Sequence, residues 1–316
     1  MNYSIKMIIR NMLHHSRCLD SIYVSMARKR AKYYEKLPDD VYLKKFFKEN
    51  TGEDLDLINP QTFNQKLQWL KLFDHNPLYT RLVDKYEMKK YVSELVGAEY
   101  VIPIVGGPWF NPEDIDFDIL PRQFVLKCNH DCGSVIICED KNTFDFAAAK
   151  RKLGMAIKQN YYLEGREWPY KNVEPCIFAE QFMVDESGKE LKDYKWICFN
   201  GIPKSLFIIT GRYSGDMRLD WFDDKFKKLP FERGYPNSNI TYGKPKAFEE
   251  MKELAQRLSQ GIPFVRVDFY NVNGHLYVGE FTFFPGGGVE VFKPKEWDSI
   301  FGSWLDLSTV KKIQGD

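Results

Sequence analysis

Residues 263–284, PFVRVDFYNVNGHLYVGEFTFF, hold the densest concentration of groups able to do chemistry. In Arg266-Val267-Asp268, strand alternation places Arg266 and Asp268 on one face and Val265 and Val267 on the other. In Gly279-Glu280-Phe281-Thr282 the same alternation groups Glu280 with Thr282. A turn centred on Asn271–Gly274 would let Asp268 and Glu280 converge across a hairpin. Two carboxylates and a short hydroxyl make a hard, oxygen-only donor set suited to Mg²⁺, with phosphate oxygens completing the octahedron. Taken alone, the same pattern also describes the solvated face of an amphipathic hairpin. Pro285-Gly286-Gly287-Gly288 follows, a run whose backbone amides can approach a ligand closely.

Lys127 ends an apolar stretch (Phe124, Val125, Leu126) and precedes Asn129-His130-Asp131-Cys132-Gly133-Ser134. A lysine leaving a strand beside a Gly/Ser loop can neutralise phosphate while loop amides cap it, although a solvated strand end reads alike. Cys128, Cys132 and Cys138 with His130 invite a zinc reading. The paired C-x₂-C spacing is missing, however, and Cys128 and Cys138 sit in apolar runs where cysteine serves as a small core residue. Asp114-Ile115-Asp116 and Asp116-Phe117-Asp118 match the D-x-D of metal-dependent glycosyltransferases, but no βαβ pattern precedes them. None of the five histidines pairs with a serine or cysteine in a convincing nucleophilic dyad: His14, His15 and His75 lie in helical or polar segments, and His130 and His275 have structural alternatives.

The elements that must position these groups read as α+β. Thr62 and Gln65 form a capping-box pattern ahead of the stripe Phe63, Leu67, Leu70, and further helices are expected within 1–50, at about Asp84–Val96, at 143–160 and at 245–260. Strands are expected at 101–105, in two runs within 123–139, and at 176–184, 193–201 and 204–212, besides the final hairpin. Asn200-Gly201 is the strongest hairpin signal. With 316 residues, 44% hydrophobic and 28% charged, the chain is ordinary globular material and long enough for about two domains. The net charge of +1 argues against nucleic acid as a partner. It conceals an asymmetry: residues 1–36 hold eight bases against Asp20 and Glu35, a net of +6, as in an arm drawn to an anionic surface. With no signal-peptide core, no run long enough to span a membrane and only six cysteines, the expected compartment is the cytoplasm, with possible attachment of residues 1–36 to the inner face of the membrane.

The order of motifs resembles the ATP-grasp superfamily: Lys85 in DKYEMKKYVSELVG, Lys127 with its loop, Glu180-Gln181-Phe182-Met183, then Arg266-x-Asp268 and Glu280-x-Thr282. More narrowly, FNQKLQWLKLF, VLKCNHDCGSVIIC, EQFM, DYKWICFNG and VRVDFY…GEFTFFPGGG together resemble the TupA-like ATP-grasp proteins of bacterial surface-polysaccharide gene clusters, over about residues 60–305. The resemblance implies an ATP-grasp fold, two α+β subdomains (60–180 and 181–316) clamping a nucleotide, with a helical N-terminal extension at 1–59. It implies that Lys85 and Lys127, with Gly133 and Ser134 of the loop, contact phosphates. Glu180, Gln181, Phe182 and Met183 would form the strand against adenine, Glu180 taking the exocyclic amine. Asp268, Glu280 and Thr282 would hold Mg²⁺, Thr282 standing where the wider superfamily has asparagine. Arg266, Arg212 and Lys195 would stabilise the transferred phosphoryl group, and Asp185, Glu186 and Asp193 are all open as the ribose acid. The implied activity is an ADP-forming carboxylate–amine ligase that makes an amide through an acyl phosphate. Its substrates would be an amino acid or peptide and a sugar acid or amino sugar of a surface polysaccharide. A glycosyltransferase and a catalytically weak nucleotide-binding scaffold are the competing readings. The aromatic segment 161–168 fits either a lid or a packed connector.

Overall fold

A computed structural model describes residues 34–184, 191–211 and 215–310. Residues 1–33 of the basic arm, Arg212, Asp185 and Glu186 lie outside the described residues. Helix α1 (Asp39–Thr51) buries Tyr42, Leu43 and Phe47 and stops at Gly52, whose φ of +79° is left-handed. Helix α2 (Phe63–Phe73) starts from the expected capping box: Gln65 N donates to the Thr62 hydroxyl, and Thr62 N to the Gln65 side chain. Helices α3 (Leu78–Val83) and α4 (Met88–Leu95) follow. The α4 segment starts a turn later than the spacing suggests. Asp84 closes that turn by accepting from Tyr86 N at 2.8 Å and Glu87 N at 3.0 Å.

Strands β1 (Ile104–Trp109), β2 (Phe124–Cys128), β3 (Ile136–Cys138) and β4 (Ile177–Gln181) form one sheet in the order β1-β4-β2-β3. Helix α5 (Phe146–Ala156), capped by Asp145, covers it around a core of Phe124, Leu126, Leu153, Ile177 and Ala179. β1 lies later than the expected 101–105 and runs through Gly106-Gly107-Pro108, which reads as a turn. Gly107 is needed there, because a Cβ would stand 2.9 Å from the Ile177 carbonyl oxygen of β4.

The second sheet contains β5 (Asp193–Phe199), β6 (Ile202–Thr210) and β7 (Arg218–Asp223), the last absent from the sequence reading. The short β8 (Glu232–Arg233) and helix α6 (Phe248–Leu258) intervene before β9 (Phe264–Val272) and β10 (His275–Thr282), giving the order β10-β9-β5-β6-β7. β11 (Phe292–Lys293) pairs with β8, and helix α7 (Glu296–Trp304) packs on α2. Every pairing between these strands is antiparallel. Asn200-Gly201 and Asn273-Gly274 make the two tight turns with positive φ at both central residues, as two-residue hairpins require.

The described residues form two hydrophobic cores. The larger joins the second sheet to α2, α3, α4, α6 and α7, so the helices that precede the first sheet in sequence pack against the second. Among the described residues no helix is long and apolar enough to cross a membrane.

Candidate functional site

One face of the second sheet changes character along its length. At one end Phe199 and Phe264 pack with Phe63 of α2. Towards the other, Lys195 of β5 stands opposite Asp268 of β9, Asp268 opposite Glu280 of β10, and Arg266 opposite Thr282. The reverse face carries Trp196, Val265, Val267 and Phe269 into the core against α6, which holds the strands in place.

This convergence depends on an irregularity that simple alternation lacks. The turn pairs Val272 with His275 and, continued regularly, would set Gly279 opposite Asp268. A bulge between Val278 and Glu280 takes up Gly279 as an extra residue and rotates Glu280 and Thr282 onto the Arg266/Asp268 face. A Cβ at Gly279 would lie 2.7 Å from the Tyr270 ring, which accounts for glycine at the bulge.

Asp268 is 2% exposed and receives Arg266 Nε at 2.6 Å, Arg266 Nη2 at 2.7 Å and the Lys195 ammonium. Burial pushes its carboxyl pKa up, but Arg266 and Lys195 outweigh that and hold it below the usual carboxylate range. Lys195 also pairs with Asp193 at 2.8 Å. Glu280 is held loosely, 3.6 Å from Lys85 Nζ and 3.9 Å from Arg266 Nη2. Burial lowers the Lys85 pKa, yet Glu280 and its neighbours carry the net shift upward, so the ammonium stays charged. Thr282 Oγ1 is buried without a hydrogen-bond partner. An orphaned hydroxyl beside a loosely paired carboxylate and a buried aspartate fits a hard oxygen-seeking cation, and the surrounding ammonium and guanidinium groups fit the phosphates it would accompany.

The loop after Lys127 is tied to Lys85. Asn129 Nδ2 donates to Asp84 at 2.8 Å, Lys85 N donates to Asn129 O at 3.0 Å, and Lys85 Nζ donates to Asp131 O. Ser134 is buried and turned inward, accepting from Cys128 N at 3.0 Å and donating to Asp131, while Gly133 is exposed at a φ of +120°. On the first sheet, Lys127 reaches the Glu180 carboxylate of β4. β4 ends at the exposed Gln181, whose N–H donates to Pro103 O at 2.9 Å, and Phe182 and Met183 lie half-buried beyond it. The structure therefore forms two groups. Arg266, Lys195, Asp268, Glu280 and Thr282, with Lys85, make one on the second sheet; Lys127 and Glu180 make the other on the first.

Other motifs take structural roles. Cys128 and Cys138 belong to the first core, and no cluster of three His, Cys, Asp or Glu able to hold a metal occurs among the described residues. Asp114, Asp116 and Asp118 are exposed in the connection before β2. The Pro285–Gly288 run packs against α2. Gln68 Nε2 donates to Gly287 O and Gly288 O, Lys71 Nζ donates to Gly287 O, and a Cβ at Gly288 would stand 2.5 Å from Gln68 Nε2. The aromatic segment is a packed connector. The Tyr162 hydroxyl donates to Asp39 of α1, Arg166 lies between the Tyr42 and Tyr162 rings, and Trp168 packs on His75.

Sequence reasoning passed over Lys89 and gave Cys132 and Glu167 no part in this site. Lys89 is buried and bonded to Glu180; its only signal is the i, i+4 spacing from Lys85. Cys132 is exposed at the loop tip within electrostatic reach of Glu280, Lys85 and Arg266. Glu167, within the connector, is raised to about 7 chiefly by burial, against Lys71, and also feels Glu280 and Arg266.

The sequence matches the family described as TupA-like ATPgrasp over residues 65–306. No curated protein sequence matches the chain at significance. Among solved structures it is similar to D-alanine-D-alanine ligase from Helicobacter pylori, with 14% identity over 77% of this chain and 69% of that one and a TM-score of 0.42. It is also similar to the Bacillus anthracis D-alanine–D-alanine ligase complexed with ATP (16%, 64% and 55%, TM-score 0.37). A third likeness is to the ATP-grasp ligase PsnB complexed with a phosphomimetic variant of minimal precursor, Mg and ADP (11%, 78% and 67%, TM-score 0.39). The chain spans 55% to 69% of the length of these structures.

Proposed function

The chain belongs to the TupA-like ATP-grasp family, ATP-grasp ligases that act with ATP and Mg²⁺, and on that premise we propose an ADP-forming carboxylate–amine ligase reaction. The γ-phosphoryl group of ATP passes to a substrate carboxylate, giving an acyl phosphate and ADP, and an amine then displaces phosphate to form an amide. The observation that carries this reading is the single sheet face on which Asp268, Glu280 and the unpartnered Thr282 hydroxyl are interleaved with Arg266 and Lys195, with Lys85 reaching Glu280 from the turn before α4. Such a face supplies cations and oxygen ligands for phosphate and offers no nucleophile–histidine dyad, as phosphoryl transfer by preorganised electrostatics needs.

Asp268, Glu280 and Thr282 would hold Mg²⁺, which when bound neutralises phosphate oxygens. Arg266 is fixed by its two bonds to Asp268 and can present its remaining donors to the transferred group. Lys85, anchored through Asp131 O, neutralises charge beside Glu280. Lys127 faces the outer phosphates from the first sheet, and the adenine lies along residues 180–183. The clamp divides near Gln181, where the chain leaves the first sheet for the second. Arg212 is retained as a phosphoryl-stabilising group on the strength of the family resemblance.

For substrates we propose an amino acid or peptide and a sugar acid or amino sugar of a bacterial surface polysaccharide, which the narrower family resemblance supports. Residues 1–36, with their net +6, would keep the enzyme at the inner face of the membrane where such glycans are carried on lipid. Thermal unfolding with Mg²⁺ and either ATP or a sugar nucleotide tests the reaction class. Saturating ATP at about 100 times its Kd should stabilise the fold by about 2.7 kcal/mol. A shift produced by a sugar nucleotide and not by ATP would overturn the ligase reading.

A further inference from the structure

Glu180 is 4% exposed and carries two cations on its carboxylate. Register sets Val125 opposite Glu180, which places Lys127, two residues on, on the same face of β2, and its ammonium reaches Oε2. From the other side Lys89 of α4 reaches Oε1 at 2.7 Å. Lys89 is itself 5% exposed, and its ammonium is fixed a second time by donating to Ile102 O at 2.9 Å. Burial lowers the Lys89 pKa, with Glu180 opposing it, whereas Glu180 is held low against burial by Lys127 and Lys89. One carboxylate thus balances two ammonium groups, and the trio keeps a surplus positive charge. Of the three, the Lys127 side chain is the most exposed, at 15% against 6% for the other two, so the surplus is presented to solvent through Lys127. A buried surplus cation is costly unless an anion completes it.

We propose that Lys89 is a positioning residue of the nucleotide site: by holding Glu180 it fixes the Lys127 ammonium for the outer phosphates of ATP, and Glu180 is the clasp between the two lysines, not the reader of the adenine amine. The proposal rests on the reading of Lys127 as a phosphate ligand. Both Glu180 oxygens are committed to lysines, so selection for the purine amine falls to the backbone beyond Gln181. Lys89 contributes no contact to the nucleotide, and its loss acts by letting Lys127 and Glu180 collapse into a neutral pair that turns away from phosphate.

The test measures the dissociation constants of ATP, AMP and ITP, each with Mg²⁺, for the full chain and for Lys89→Met, Lys89→Arg, Glu180→Gln and Lys127→Ala. Lys89→Met and Glu180→Gln should each weaken ATP by about tenfold while changing AMP less than about twofold, as for loss of a charge-assisted phosphate contact. The ATP/ITP ratio should stay unchanged and Lys89→Arg should restore ATP binding. Equal losses of ATP and AMP in Lys89→Met would overturn the proposal, as would a Glu180→Gln variant that loses ATP-over-ITP preference. If Lys127→Ala leaves the ATP/AMP ratio untouched, the phosphate reading of Lys127 itself fails. If Lys127→Ala changes that ratio and Lys89→Met does not, only the role of Lys89 fails. Should Lys89→Met not fold, Lys89→Gln is read by the same criteria, since its amide can donate to Ile102 O and Glu180 without the charge.

Discussion

Asp268 and Glu280 face each other across β9 and β10, yet removing their charges should have different consequences. Asp268 is almost wholly buried and is the shared partner of Arg266 and Lys195. Asp268→Asn leaves two buried cations with one anion fewer. Breaking a buried pair from one side costs about 3–5 kcal/mol. Asp193 and Glu280 still offset part of the charge, which argues for the lower end, about 3 kcal/mol. At roughly 2–4 °C per kcal/mol for a chain of this size class, the melting temperature should fall by about 6–12 °C. Glu280 is a quarter exposed, and its cation contacts at 3.6 and 3.9 Å are beyond hydrogen-bond length. Glu280→Gln should therefore cost less than about 1 kcal/mol. Calorimetry of both variants, alone, with ATP and EDTA, and with ATP and Mg²⁺, separates fold from function. Both should lose the extra stabilisation that Mg²⁺ adds to ATP, and only Asp268→Asn should melt early without ligand. An Asp268→Asn protein that melts with the wild type would refute the buried-pair reasoning. A Glu280→Gln protein that keeps the full Mg²⁺ increment would refute the metal assignment.

Two further outcomes bear on the same face. Thr282→Val removes an unpartnered buried hydroxyl without changing shape, so stability should be unchanged or rise by up to about 1 kcal/mol while the Mg²⁺-dependent part of ATP binding falls, and Thr282→Asn should keep that binding; equal Mg²⁺ dependence in Thr282→Val and the wild type, measured by titration calorimetry, would remove Thr282 from the site. Cys132 is exposed as a residue, but the protein crowded around its thiol, and then Glu280, hold that thiol above its ordinary range, so in a Cys18→Ser background iodoacetamide labelling followed by mass spectrometry should be slow at pH 7 and rise about tenfold per pH unit, and ATP with Mg²⁺ should protect the residue. Labelling indifferent to nucleotide would place the phosphates elsewhere.

What the sequence disclosed follows from the range of the forces involved. The Thr62–Gln65 box, the two Asn-Gly turns and the paired runs of the final hairpin are set by contacts within a few residues, and each was legible. β7 was missed because Arg218-Leu219-Asp220-Trp221-Phe222-Asp223 interleaves charges with its apolar residues. Asp220 is nevertheless fully buried, with Lys228 and Ser238 as partners that no local pattern announces. The packing role of the Pro285–Gly288 glycines was hidden for a related reason. Their freedom was plain, but the helix that exploits it, through Gln68 and Lys71, lies more than 200 residues earlier.

The candidate site shows the same division at higher stakes. Residue types and order were enough to nominate Asp268, Glu280 and Thr282, because a hard cation demands oxygen donors whatever the fold. Their convergence across the hairpin was an expectation, but the means of it was not readable: it needs one extra residue in β10, and Gly279 supplies it without a signature beyond being glycine beside Tyr270. Nor was the charge balance readable. Asp268, Glu280 and Glu180 are each met by a lysine from another part of the chain: Asp268 by Lys195, Glu280 by Lys85, Glu180 by Lys89 and Lys127. These pairings keep buried charge tolerable before any nucleotide arrives, and they hold the cations ready in the directions from which phosphate would approach. A polyanion entering with its metal therefore exchanges partners within a network already in place, and the cost of ordering those side chains has been met in folding.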